Sequence, residues 1–277
     1  MTMPARETVF LKLGGSLITD KTQRETPRLD VLVRLAGEIA DARRRRPEMR
    51  LLIGHGSGSF GHFAGKKYHT RDGIIAGKEA QSWYGYAETG AAAARLNRLV
   101  IDALLDAGLP AITIQPSATA QCHDGELREM HWQSILHALD AGLLPVVHGD
   151  VAFDAERGCT IISTEQIFAY LAEYLTPSRI LLAGTVDGVF TGDPLRDKRV
   201  AHIPTIRASG QEIWESQLGG SYGVDVTGGM AAKVADMAGL VMAHPFLIVQ
   251  ILSGEDAGAV GQALLDPTVS MGTRIVR

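Results

Sequence analysis

The chain has 277 residues, 45% of them hydrophobic, and a formal net charge of −4. That length can build a sizeable core in one large domain or two modest lobes, and the mild acidity argues against a dedicated nucleic-acid binder, which carries a basic face. No stretch approaches the roughly 18 apolar residues of a membrane-spanning helix, and Cys122 and Cys159 lack metal-ligand spacing, which suits two free thiols in a reducing cytosol.

The first apolar run, 9–13, reads as a strand and is too short for a signal-peptide core. Gly14-Gly15-Ser16 follows it, flanked by Lys12 and Lys21. An amphipathic helix is predicted over 30–46, its terminal Arg43 to Arg46 run being a solvated helix end before Pro47. A strand at 50–53 feeds Gly54-His55-Gly56-Ser57-Gly58-Ser59-Phe60-Gly61-His62, after which Lys66 to Gly73 is polar and poorly periodic, with no helix expected. A long helix is predicted over 82–107, then a strand at 111–114, a helix over 132–141 and a strand at 144–147. His123-Asp124-Gly125 and 154–158 read as turns of inserted hairpins. The remainder alternates helix 165–175, strand 179–182, helix 230–243, strand 246–252, helix 257–265 and strand 273–276. Short β-rich runs alternating with helices predict an α/β fold with a mostly parallel sheet covered on both faces. We expect one domain over 1–277 whose two lobes divide near 176–178.

Three glycine-containing loops carry cations: Gly14-Gly15 with Lys12 and Lys21, the loop ending at His62, and Thr227-Gly228-Gly229-Met230 with Lys233. Small residues let backbone N–H groups converge on an anion, and a helix N-terminus adds partial positive charge. Three such loops point to a chain of phosphates. Gly56 to Gly61 matches the dinucleotide fingerprint, but that fingerprint needs a helix at once. Gly61 to Lys66 is one residue short of a phosphate-binding P-loop and continues with Lys67 in place of Ser or Thr. His55, His62 and His69 recur every seven residues, yet glycines interrupt them and no Cys or carboxylate cluster joins them, so no metal-ligating residue is expected.

Lys12-Leu13-Gly14-Gly15-Ser16, Val186-Asp187-Gly188-Val189-Phe190 with Asp193-Pro194, and Thr227-Gly228-Gly229-Met230 with Lys233 resemble the amino-acid kinase superfamily. Within it, the Lys12 to Lys21 segment, the Gly-Ser-Phe-Gly-His loop and Gly272-Thr273-Arg274-Ile275 resemble the isopentenyl phosphate kinases. The resemblance implies a three-layer αβα sandwich, usually homodimeric, with the acceptor in an N-terminal lobe (about 1–177) and ATP with Mg²⁺ in a C-terminal lobe (about 178–277). It implies that Lys12 and Lys21 contact the transferred phosphoryl group, and that His62 with the backbone of Gly54, Gly58 and Gly61 holds the acceptor phosphate. Gly14 and Gly15 would touch the ATP phosphates, Asp187 and Gly188 would lie by the nucleotide, and Gly228 and Lys233 would serve its distal phosphates. Family members carry Ser-Gly-Asp where this chain has Ser163-Thr164-Glu165, so the lysine-orienting role falls to Glu165 or to Asp150. An apolar slot for the isoprenoid tail is expected among Ile74, Ile75, Trp83, Tyr84, Tyr86, Ile112 and Ile114. The activity implied is phosphorylation of isopentenyl phosphate to isopentenyl diphosphate in isoprenoid biosynthesis, in the cytoplasm. A fosfomycin-type phosphonate kinase and a non-catalytic oxyanion- or nucleotide-binding protein are the alternatives.

Overall fold

In the computed structural model, which describes residues 7–192, 194, 197, 199–211, 214 and 229–277, the apolar runs assemble around strand β1 (Thr8–Leu13). Beside it lie β2 (Arg50–His55), then β6 (Leu144–His148), with the short β3 (Ala111–Thr113) at the edge. On the other side come β9 (Arg179–Gly184), β13 (Ile248–Ser253), β14 (Thr273–Val276) and β12 (Thr205–Arg207). Pairing is parallel from β3 through to β13; β14 then runs antiparallel to β13, and β12 follows β14. The central strands are apolar on both faces because helices cover both.

One face carries α2 (Leu29–Arg45), α3 (Gly58–Tyr68), α4 (Glu79–Asp106) and α8 (Ala259–Leu265), packed through Leu35, Ile39, Phe60, Leu96 and Leu264 onto Val9, Leu11 and Ile53. The other carries α5 (Gln133–Asp140), α6 (Thr164–Leu175) and α7 (Gly229–Ala243), packed onto Phe10, Leu52 and Ile180. This is the three-layer αβα sandwich expected from the sequence. A second sheet, in the order β5 (Glu126–Glu129), β4 (Gln121–His123), β7 (Asp150–Asp154) and β8 (Gly158–Ile162), contains both inserted hairpins. The Asp154 carboxylate joins their turns by accepting backbone N–H bonds from Asp124, Gly125, Glu156 and Arg157. A two-stranded ribbon pairs β10 (Val189–Phe190) with β11 (His202–Ile203).

Helix α3 corrects the sequence reading, which left much of this stretch irregular. It begins at Gly58, inside the glycine loop, and runs to Tyr68. Its buried face is built largely from Gly58, Ser59, Gly61, Ala64 and Gly65, with Phe60 the one large side chain, so apolar periodicity barely registers it. At the point near 176–178 where the sequence suggests a division, Thr176 closes α6 in the left-handed region (φ 42°), and β9 then lies directly beside β1 in the main sheet. Among the described residues, no helix is long and apolar enough to cross a membrane.

Candidate active site

The chain leaves β1 for β2 on one side and returns as β9 on the other, a topological switch point. In open parallel sheets the crevice at the carboxyl ends of such strands is where ligands bind. Here the crevice opens into a cavity of about 380 Å³. Gly14, Gly15, Gly184, Thr185 and Lys233 contribute one part of its wall; Gly58, Gly61, His62, Thr89, Ala93 and Ile161 contribute another. Lys12, Lys21 and Glu165 line the same cavity.

Lys12 is the one charged residue of β1. It lies on the sheet face of Phe10, in register with Gly54 of β2 and Leu182 of β9. Because Gly54 has no side chain, the first turn of α6 can settle onto the sheet: a Cβ there would stand 2.6 Å from the Phe168 ring. The start of α6 is fixed by a capping box, in which Ser163 Oγ accepts the Gln166 N–H and the Gln166 side chain accepts the Ser163 N–H. Glu165 follows in that first turn, where the helix dipole favours an anion. The Lys12 ammonium donates to Glu165 Oε1, both side chains being 12% exposed, and Lys233 Nζ lies 4.0 Å from the same oxygen. Burial alone would raise the Glu165 carboxyl; the charges of Lys12 and Lys233 and the Lys12 hydrogen bond overcome it and hold the pKa down at about 2. Glu165 is therefore ionised and bridges two lysines that come from opposite ends of the chain.

The glycine loops touch each other. A Cβ on Gly15 would stand 2.7 Å from the Gly58 nitrogen, and one on Gly56 would stand 2.9 Å from the Gly15 nitrogen. Gly14 N–H is bonded to the Ala183 carbonyl at 2.8 Å, and a side chain there would press on that same oxygen. This backbone contact brings the first turn of the short helix α1 (Gly15–Ile18) against that of α3. First-turn N–H groups lack intrahelical partners, so both helices present donors where the loops meet.

The structure thus brings Lys12, Lys21, Gly14, Gly15, Gly58, Gly61, His62, Glu165 and Lys233 to one cavity. It places Gly54 beneath α6 and away from the cavity wall. Asp187 also lies off that wall, its Oδ1 accepting the Ser253 N–H at 3.1 Å, and Gly188 (φ 99°) makes a turn against Thr273. Gly228 lies outside the described residues, as do Asp193 and Thr227. Tyr84 is 63% exposed on the outside of α4, with its ring against Tyr68. None of the residues expected to form the tail slot lines the cavity; Trp83 and Tyr86 instead pack on Phe153. The turns of α4 that reach the cavity come later in the helix, at Thr89 and Ala93, with Ile161 of β8. Asp150 reaches the wall as well, its carboxylate accepting from Gln115 Nε2 and the Ser117 N–H.

The sequence reading also missed Arg71, which lines the cavity from the 3₁₀ turn after α3. Thr160 Oγ1 donates to its carbonyl, anchoring that turn on β8. The histidines of the seven-residue series part company: His62 and His69 line the cavity, whereas His55 is buried against His148 and Asn97. Burial and the neighbouring His148 push the His55 pKa down to about 3, so the ring is neutral. Its Nδ1 lies 3.1 Å from the Gly56 carbonyl and its Nε2 lies 3.1 Å from Asn97 Oδ1, while the Asn97 amide nitrogen donates to Thr113 Oγ1.

A crevice at the switch point lined by glycine loops, with lysines on both sides, defines a phosphoryl-transfer enzyme of the αβα class. The chain belongs to the amino acid kinase family, which matches residues 7–250. Its relatives narrow the branch. It is 36% identical to an isopentenyl phosphate kinase of Methanothermobacter thermautotrophicus over 96% of this chain and 98% of the relative. It is 34% identical to an isopentenyl phosphate kinase of Methanocaldococcus jannaschii over 92% and 94%. A solved isopentenyl phosphate kinase superposes with a TM-score of 0.83 at 31% identity, covering 98% of this chain and all of that one.

Proposed function

We propose that the chain transfers the γ-phosphoryl group of ATP to isopentenyl phosphate, giving isopentenyl diphosphate. The observation that carries this reading is the shared cavity, in which the Lys12–Glu165–Lys233 cluster and the Gly14-Gly15 loop meet the His62 helix directly. The second pKa of a phosphate monoester is about 6, so the attacking oxygen is already ionised near neutrality and no general base is needed. The barrier lies in bringing two polyanions together and in the charge spread over the phosphoryl group in flight. Cations and N–H donors set in place beforehand lower that barrier. Lys12 and Lys21 neutralise the transferred group, Lys233 the distal ATP phosphates, and His62 with the first turn of α3 orients the acceptor phosphate. Thr89, Ala93 and Ile161 take the hydrocarbon tail.

The division into a lobe for the acceptor, about 1–177, and one for the nucleotide, about 178–277, with Asp187 and Gly188 by ATP, belongs to the same proposal. So do Mg²⁺, a cytoplasmic setting and a homodimer. Among the described residues no three His, Cys, Asp or Glu side chains gather into a metal cage. The chain therefore fits a magnesium ion carried by the triphosphate and water, the usual habit of this cation with nucleotides; when bound it supplies charge neutralisation of the phosphates. The dimer is supported by the open edge of β3, where Ile112 is 40% exposed, since natural proteins cover such edges. Light scattering in solution tests it, and a monomer at micromolar concentration overturns it.

The decisive assay couples ADP release to acceptor. Isopentenyl phosphate should be turned over with a kcat/KM at least ~10-fold above that of a small phosphonate epoxide, a methylene or two of apolar contact being worth that much. Equal or better turnover of the phosphonate overturns the assignment. No ADP release with any phosphomonoester would return the chain to the non-catalytic alternative.

A further inference from the structure

Two buried hydroxyls fasten together the three segments that handle phosphate. Thr19, 1% exposed, closes α1, and its Oγ1 donates to the Gly15 carbonyl at 2.7 Å. The same oxygen accepts the Ser59 backbone N–H at 2.9 Å, from forty residues further on. That N–H belongs to the first turn of α3, where no intrahelical partner exists, and Ser57 at the N-cap makes no side-chain capping bond. Thr19 therefore caps α3 from outside, and its hydroxyl and methyl groups together leave no room for a side chain on Gly58 (φ 50°). The fastening continues through Ser59, itself fully buried, whose Oγ accepts the Thr26 N–H at 3.1 Å. Thr26 in turn bonds its carbonyl to the Asp20 N–H at 2.9 Å, closing the loop that carries Lys21.

We infer that Thr19 is a positioning residue for phosphoryl transfer: its hydroxyl sets the spacing between the donor loop at Gly15 and the acceptor helix α3, and Ser59 passes that register to Lys21. The inference deepens the proposed function and rests on it. In-line transfer tolerates little displacement, and a shift of about 1 Å can cost ~10²-fold in rate. A three-atom bridge between two backbones has no slack to absorb such a shift. None of these hydroxyls need touch substrate for this, so the signature is a loss of turnover and not of binding.

The test compares Thr19→Val, Thr19→Ser and Ser59→Ala with the wild type at saturating ATP and isopentenyl phosphate, alongside amide exchange of residues 57–61. Thr19→Val should lower kcat by ~10–100-fold while both KM values stay within ~3-fold. Thr19→Ser, which keeps the hydroxyl, should recover turnover to within ~3-fold of wild type, and Ser59→Ala should fall between the two. The Ser59 amide should exchange faster in Thr19→Val. Unchanged kcat in Thr19→Val, or a Thr19→Ser variant no better than Val, overturns the inference. A wild type inactive on isopentenyl phosphate but active on another phosphomonoester defeats the functional reading alone, and the variants are then compared on that acceptor. If no acceptor is used, unaltered exchange at Ser59 overturns the fastening and faster exchange upholds it.

Discussion

Glu165 Oε1 accepts from the Lys12 ammonium and lies 4.0 Å from Lys233 Nζ, so one carboxylate joins the central strand of the sheet to the helix that follows the last glycine loop. The sequence left open whether Glu165 could do the work of the Asp usual in this family. The clearance that Gly54 gives α6 brings the carboxylate to Lys12.

Neutralising that carboxylate tests the arrangement. Glu165→Gln should lower kcat by ~10–100-fold, because the two lysines lose the charge that aims them at the transferred group. Glu165→Asp, one methylene shorter, should fall less. Steady-state kinetics on both variants check this; a Glu165→Gln enzyme of normal kcat would show that the lysines are positioned without it.

The same carboxylate makes a stability prediction. Its folded pKa, about 2, lies below the ordinary 4.5. Its contribution is therefore complete above the unfolded pKa and is lost as pH falls through 4.5 toward the folded value. The difference in unfolding free energy between wild type and Glu165→Gln should shrink on going from about pH 6 to about pH 3 in urea titrations. A difference that grows on acidification contradicts the ion-pair assignment.

Lys21 and His62 should separate kinetically. Lys21→Ala should cut kcat by ~10²–10³-fold, since the charge it meets develops during transfer. His62→Ala should mainly raise the acceptor KM and leave ATP binding near normal. A changed ATP affinity with an unaltered acceptor KM would reverse the two ends of the cavity.

The contact between the glycine loops gives the strictest steric prediction. Gly15→Ala places a Cβ 2.7 Å from the Gly58 nitrogen and 2.8 Å from its Cα, both backbone atoms that cannot rotate away. The loops must part, and turnover should drop by ~10²-fold or more at little cost in thermal stability. Gly37→Ala, in mid-helix with open space around the new methyl group, is the matched control: turnover should be unchanged and thermal stability slightly raised, Ala being favoured over Gly in a helix by about 0.5–1 kcal/mol.

Much of this protein was legible in one dimension. Apolar runs at 9–13, 50–53 and 144–147, broken only by Lys12 and Arg50, marked buried parallel strands, because a strand covered on both faces has little polar side to show. Glycines beside lysines marked the phosphate loops, since close backbone approach and positive charge are both written in residue type. Helix α3 was not legible, because a face made of Gly and Ala carries almost no hydrophobic signal, and the same compactness lets that helix meet the Gly15 loop. The residues of α4 that reach the cavity were not legible for a related reason. Trp83 and Tyr84 are conspicuous in the sequence, but helical rotation turns Thr89 and Ala93 toward the cavity. Pairings that span 153 residues, as between Lys12 and Glu165, have no trace in local pattern. Residue chemistry determined that this chain handles phosphate; only the switch point of the folded sheet decided which charges share one cavity, and which small side chains hold them in register.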